Sequence, residues 1–393
     1  MKMRLAVLLF ILIFAVASFG QTDVQKYVGQ YQVTGAPIMI TVTAKDGKLS
    51  IEATGQGKAP IELVSGDDYT VTGSPIKLTF QKDAAGKVTG MIIHQGPGLD
   101  VPAPKINSST EAPGDKSPHK SGFVTANGIK MNYLDWGGTG DVIILLAGFG
   151  NDAHVFDEIA PSFTDKFHVI GLTRRGFGET ERPAKGYETS TRAEDVRAFM
   201  DAMKITRAHI IGHSLAGDEM TQFAISYPQR VIKMVYLDAA YDRTKLITCK
   251  MNDMPGGMPA SYMRMFGEAL NCPGWEKITA PDLPPDMLSM QVLTMKSAMQ
   301  FHPDYTKIKA QALAIYADVD VPQYPGNLDA ETKKKFDTWW KANEVPESRA
   351  SIELFRKNMK NGQVVELKGA THYVFVDPFK DQTVKLVRDF LAN

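Results

Sequence analysis

The segment Ile210-Ile-Gly-His-Ser214-Leu-Ala-Gly217 puts a serine hydroxyl where it can act as a nucleophile. An apolar strand pattern runs up to Gly212, and a helical pattern starts at Ala216. Small residues on both sides of Ser214 let the chain turn sharply and present the hydroxyl in a strained backbone conformation. The first turn of the following helix offers unpaired N–H groups and the positive end of a dipole to a developing negative charge. A serine hydroxyl is a weak nucleophile at neutral pH, so this chemistry also needs a base and a carboxylate to orient that base.

With its strand before and helix after, the segment resembles the G-x-S-x-G nucleophile turn of the α/β-hydrolase superfamily. Ala216 stands where the second Gly is usual and is followed by Gly217. The resemblance covers residues 123–393. Leu146-Ala147-Gly148-Phe149-Gly150 follows an apolar strand where members carry His-Gly, with Ala147 in the His position. The resemblance implies an oxyanion hole made by the backbone N–H groups of Leu215 and Phe149. Arg174-Arg-Gly-Phe-Gly178 resembles another recurring turn of the family, with Thr173 in place of its leading Asp, and is expected to be structural.

Among eight His, His94 and His119 precede this region, His168 and His209 lie in strand patterns, and His213 adjoins the serine. His154 begins a helix near the oxyanion turn, and His302 falls in an insertion. His372, in Gly369-Ala-Thr-His-Tyr373, follows the last strand and satisfies the family order of Ser, acid, His. The acid implied by the resemblance is Asp320, in Ala317-Asp-Val-Asp320, with Asp318 and Asp238 as alternatives. Asp238 otherwise reads as an anchor at a strand end, and Asp318 as a surface charge. Together these residues imply a serine hydrolase acting on a carboxylic ester or related acyl bond. A Ser at the turn argues against the dehalogenase and epoxide hydrolase members, which use Asp there. Amidase or peptidase, lactonase and C–C hydrolase activities share the triad, and a non-catalytic binding protein could retain the fold.

Several elements must position these groups. The apolar runs 142–146, 168–172, 208–212, 231–237 and 312–316 read as strands of a buried sheet. Helical stretches at 193–203, 216–226, 330–343 and 382–391 alternate with them, which predicts an α/β fold with a mainly parallel sheet, helices on both faces and a helical lid. The lid is the insertion at about 241–303. It carries Met251, Met254, Met258, Met263, Met265, Met287, Met290, Met295, Met299 and Trp275, a composition that suits an apolar group on a small-molecule acyl substrate.

Residues 21–106 read differently, as short alternating strands separated by Gly and Asp turn signals. The order of Tyr27-Val-Gly-Gln-Tyr31, Asp46-Gly-Lys-Leu49, Phe80, Gly86-Lys-Val-Thr-Gly90 and His94-Gln-Gly resembles a β domain of unknown function often appended to serine β-lactamase-like esterases. His94 and Asp67-Asp68 are expected on turns or faces of this small all-β domain. Residues 107–121, rich in Pro, Ser and charge, read as a linker to the domain at 122–393. Residues 1–20 combine Lys2 and Arg4, an apolar run from Leu5 to Ala17, and small residues at Ser18 and Gly20. That is the pattern of a secretory signal, so the chain is expected to be exported, to the periplasm or beyond, with no stable membrane span after leader removal. The only cysteines, Cys249 and Cys272, can bridge in an exported chain or stay as two buried thiols. Basic and acidic residues balance at 44 each, which leaves no electrostatic footprint for nucleic acid. No H-E-x-x-H-like spacing appears, so no metal or cofactor is expected.

Overall fold

The computed structural model describes residues 24–392 other than 35–37, 54–58, 73–75, 95–99, 108–116, 247, 259, 279–284 and 326–327. The expected leader at 1–20 and most of the expected linker lie outside the described residues.

Eight short strands form an antiparallel barrel: β1 (Gly29–Gln32), β2 (Met39–Lys45), β3 (Lys48–Ala53), β4 (Ala59–Ser65), β5 (Asp68–Val71), β6 (Lys77–Lys82), β7 (Val88–His94) and β8 (Asp100–Asn107). Each pairs with the next, and β8 closes on β1 through Gln30 opposite Asn107. Alternation sets which side chains face inward: Leu49 and Ile51 are buried, while the alternate residues Ser50 and Glu52 are not. The interior is filled by aromatic rings, with Tyr27 and Phe80 centred 4.5 Å apart and Tyr69 edge-on to both. Asp67 is more than a turn residue, because it accepts a 2.5 Å hydrogen bond from the Tyr27 hydroxyl and pairs with Lys82.

The second unit is an eight-stranded sheet. It comprises β9 (Lys120–Ala126), β10 (Ile129–Gly137), β11 (Val142–Leu146), β12 (His168–Leu172), β13 (Ala208–His213), β14 (Val231–Leu237), β15 (Gln311–Tyr316) and β16 (Gly362–Glu366), in the spatial order 16-15-14-13-11-12-10-9. Strands β11 to β16 run parallel to one another, while β9 and β10 add an antiparallel edge beside β12. The apolar runs are buried on both faces because helices cover both. Ile144 and Leu146 of β11 join one core and Ile143 and Leu145 the other.

Helices α1 (Thr189–Ala202) and α2 (Ala216–Ser226) pack on the first face. Three more helices, α3 (Arg243–Leu246), α4 (Ala260–Leu270) and α5 (Pro285–Ala298), occupy the insertion between β14 and β15. Helix α6 (Ala330–Asn358) joins the first face through Ile352 and Phe355, and α7 (Lys380–Ala392) covers the second through Val387 and Phe390. Helix α6 continues well past the expected end at 343 and passes through Pro346. The boundary between linker and sheet also shifts, since β9 starts at Lys120 inside the stretch read as linker. Cys249 and Cys272 form a disulfide within the insertion, joining the 3-10 turn Cys249–Asp253 to the residues just after α4.

Candidate active site

Parallel strands deliver their C-terminal ends to one edge of the sheet, and the site is built there. His213, the last residue of β13, stands opposite Leu237, the last residue of β14. The residues that follow them, Ser214 and Asp238, therefore leave adjacent strands side by side. Both adopt left-handed backbone conformations that are uncommon outside glycine, with φ of 54° and 46°. Hydrogen bonds hold these turns: Ser214 N–H donates to Leu237 O at 3.2 Å, and Asp238 N–H donates to Ile315 O at 2.7 Å.

The space around Ser214 explains the small residues beside it. A Cβ on Gly217 would fall 1.9 Å from the Ala239 carbonyl oxygen, and one on Gly148 would fall 3.0 Å from the Ser214 Cβ. The turn after β11 is thus pressed directly against Ser214. Among the described residues, the N–H groups of Phe149 and Leu215 donate to no protein acceptor. Both residues join the core cluster of the insertion, with Met265, Phe266, Val292, Met295 and Met299. Met290 packs instead with Phe177 and Tyr187.

His372 lies in the loop between β16 and α7. The Ser214 hydroxyl donates to its Nε2 at 2.8 Å, and its Nδ1–H donates to Asp238 Oδ2 at 2.6 Å. The other oxygen of Asp238, Oδ1, accepts from the Tyr241 hydroxyl at 2.6 Å and from the Ala317 N–H at 2.9 Å. Burial and the neighbouring Asp238 charge push the Tyr241 phenol well above its ordinary range, so it remains a donor. His213 is buried, and its Nε2–H donates to the His372 carbonyl at 3.1 Å. Burial holds His213 well below the usual imidazole range, so it is neutral.

The expectation for the acid is corrected by this geometry. Asp320 does not reach His372; its side chain is half exposed and pairs with Arg349 on α6 at 2.7 Å. The chain turns away after Ala317, whose own N–H is spent on Asp238. Asp318 is not a surface charge either. It is buried and accepts from Gly369 N–H at 2.9 Å, Asp320 N–H at 3.2 Å and Lys368 at 2.9 Å. It thereby braces the loop that carries His372. Asp238, the alternative acid, occupies the position beside the imidazole.

Buried charge links the parts of the site. Arg174 donates to both oxygens of Glu219 on α2, at 2.8 and 2.9 Å, and also to the carbonyls of Gly148 at 3.1 Å and Ala147 at 2.6 Å. Arg243, at the base of the insertion, pairs with Asp218 and donates to the Ser214 carbonyl at 2.6 Å. Burial pushes Asp218 up to about 6 even with Arg243 beside it. The two carbonyl contacts of Arg174 and the role of Arg243 escaped the sequence reading. A buried arginine with a single carboxylate partner far along the chain leaves no local pattern to find.

The chain belongs to the α/β-hydrolase fold family, whose profile matches residues 141–343. A profile of a domain of unknown function, DUF3471, matches residues 20–107, the barrel. The chain is 31% identical over 149 residues to a non-heme chloroperoxidase from Streptomyces lividans, a stretch covering 37% of this chain and 52% of that protein. It is 30% identical over 112 residues to a soluble epoxide hydrolase from a Corynebacterium species, covering 28% and 39% of the two chains. These matches therefore span about half or less of the curated relatives. A solved N-acyl homoserine lactone degrading enzyme superposes with a TM-score of 0.51 at 19% identity, over 68% of this chain and all of that one. A meta-cleavage product hydrolase from Pseudomonas fluorescens IP01 superposes at 0.50 with 21% identity, over 69% and 98%. At these identities the superpositions show the fold. The α/β-hydrolase family and hydrolase-named relatives such as the epoxide hydrolase support a hydrolase, while the chloroperoxidase is named for other chemistry on a related chain. Among the described residues, no helix is long and apolar enough to cross a membrane.

Proposed function

We propose that this chain is an exported serine hydrolase that cleaves a carboxylic ester or related acyl bond through Ser214, His372 and Asp238. The observation that carries this reading is the continuous hydrogen-bonded run from the Ser214 hydroxyl through both ring nitrogens of His372 to Asp238. Ser214 Oγ attacks the acyl carbon while His372 Nε2 takes its proton. Asp238 fixes the tautomer with the proton on Nδ1 and stabilises the imidazolium that forms. The N–H groups of Leu215 and Phe149 stabilise the tetrahedral oxyanion. His372 then returns the proton to the leaving group, and a water molecule, deprotonated by the same imidazole, releases the acid.

The methionine-rich core of the insertion packs on Leu215 and Phe149, the two oxyanion residues, and this supports an apolar group next to the reacting carbonyl. Ser at position 214 favours acyl chemistry over the epoxide opening named for one relative. The leader pattern at 1–20 and the disulfide support an oxidising, exported location. A panel of p-nitrophenyl esters of rising acyl length, with lactones and anilides alongside, tests the reading on purified protein. Ester turnover that disappears in Ser214→Ala supports it. Turnover equal in wild type and Ser214→Ala across the whole panel would remove it.

A further inference from the structure

A second cluster of chemistry-bearing side chains lies away from the serine. His119 sits just before β9, where the chain enters the sheet domain. His154 lies in the short 3-10 turn Ala153–Phe156 that follows the oxyanion segment, and Asp157 caps that turn. One ring nitrogen from each His and one carboxylate oxygen lie within 4.8 Å of one another. His154 Nδ1 is 3.0 Å from Asp157 Oδ2, and His119 Nδ1 is 3.8 Å from Asp157 Oδ1.

We propose that His119, His154 and Asp157 bind one divalent transition-metal ion of the zinc class. Two imidazoles and a carboxylate are a donor set that zinc accepts, with a solvent molecule completing four-coordination. Zinc–ligand bonds of about 2.0–2.2 Å in a tetrahedral arrangement set neighbouring donor atoms roughly 3.3–3.5 Å apart. The donor atoms of the trio lie within 4.8 Å of one another, so closing them to that value takes side-chain adjustment. Contacts between an imidazole and a carboxylate are also what such a trio makes when a proton takes the place of the cation.

The surroundings are those of a held ligand set. Trp136 Nε1–H donates to Ser117 Oγ at 2.7 Å, and that hydroxyl donates to Asp157 Oδ1 at 3.2 Å, orienting the carboxylate. His119 Nδ1–H donates to the Ser117 carbonyl at 3.1 Å, and its ring stands edge-on to Trp136. Outer-shell bonds of this kind orient metal-binding side chains. The His119 side chain is only 5% exposed and that of His154 is 35% exposed, so the trio joins a buried anchor to a solvent-accessible entry. The ion would fasten the segment entering the sheet domain to the turn behind the oxyanion loop. The role is structural, because none of the three touches Ser214, His372 or Asp238. The sequence alone gave no hint of it, since His119 and His154 come from separate elements and form no local motif.

The test uses tag-free full chain stripped with a chelator and titrated with Co2+ and Zn2+, following cobalt absorption and calorimetric stoichiometry. The expected result is one ion per chain at pH 7.5, weakened at least tenfold in His154→Ala and in Asp157→Asn and unchanged in His372→Ala and His302→Ala. Circular dichroism checks folding, and the more exposed His154→Ala carries the test if Asp157→Asn does not fold. Absence of stoichiometric binding, or equal affinity in wild type and His154→Ala, would overturn the proposal and leave the trio as a hydrogen-bonded network.

Discussion

Asp238 Oδ2 accepts a 2.6 Å hydrogen bond from His372 Nδ1, although the two residues lie 134 positions apart and are delivered by different strands. Asp238 is buried and has a second oxygen fully engaged by Tyr241 and Ala317. Asp238→Asn should therefore lower kcat by roughly 10³–10⁴ with little change in KM, because only the transition state carries the imidazolium charge. Asp320→Asn should stay within about twofold of wild type, since its exposed pair with Arg349 lies outside the hydrogen-bonded run. Steady-state kinetics on one chromogenic ester distinguishes the two.

Tyr241 offers a finer probe of the same carboxylate. Removing its hydroxyl leaves Asp238 Oδ1 with one donor fewer in a buried place, and a hydrogen bond to a charged group is worth about 1.5–3 kcal/mol. Tyr241→Phe should lower kcat by about tenfold or more while the protein stays folded. Unchanged kcat would confine Tyr241 to packing.

Much of this site was legible in the sequence, and the part that was not has a definite cause. Ser214 could be read because the strand, the small residues and the helix are consecutive. His372 could be read because it follows the last strand and precedes the last helix. The acid could not be settled, because two neighbouring parallel strands, β14 and β15, each end in an Asp-bearing turn. Which turn faces His372 depends on the path of the loops beyond the strands, and neither periodicity nor spacing records that path. The extent of α6 was missed for a related reason. Pro346 reads locally as a breaker, while packing of Ile352 and Phe355 against the sheet holds the helix together beyond it. The barrel was legible as strands separated by turns, but its closure through β1 and β8 joins the two ends of that segment and leaves no local signal.

Arg174 should matter to both stability and rate. It ties Glu219 on the helix after Ser214 to the carbonyls of Ala147 and Gly148. Truncating one partner of a buried pair costs about 3–5 kcal/mol when the other is left unpaired. Glu219 also pairs with buried Arg192 at 3.2 Å, so Arg174→Ala should lower the unfolding free energy by less than that. Arg174→Lys keeps the charge but loses the forked donors, so it should lose less stability and still show reduced kcat. Chemical denaturation and kinetics on both variants check this.

Buried histidines give the fold a defined response to acid. His209 is pushed down to about 4 by burial, against about 6.5 when unfolded. A depressed imidazole contributes stability that is present above about pH 6.5 and is lost as pH falls toward 4, because only the unfolded state takes up the proton. The stability difference between wild type and His209→Gln should therefore shrink by about 1.4 kcal/mol per pH unit across that window. Taking the difference separates His209 from Asp218, whose raised value acts in the opposite direction below about pH 6. Urea denaturation at pH 8, 6 and 5 reads the effect, and a pH-independent difference would refute it.

The central claim is that Ser214 is activated by His372 held by Asp238. The most direct measurement is the rate of covalent labelling by a fluorophosphonate, with the adduct located by mass spectrometry. In wild type and Asp320→Asn the label should appear on Ser214 at similar rates. In His372→Ala and Asp238→Asn it should be slowed by at least a hundredfold, while circular dichroism shows the fold intact. Labelling at a residue other than Ser214, or a Ser214 rate untouched by Asp238→Asn and abolished by Asp320→Asn, would contradict the assignment.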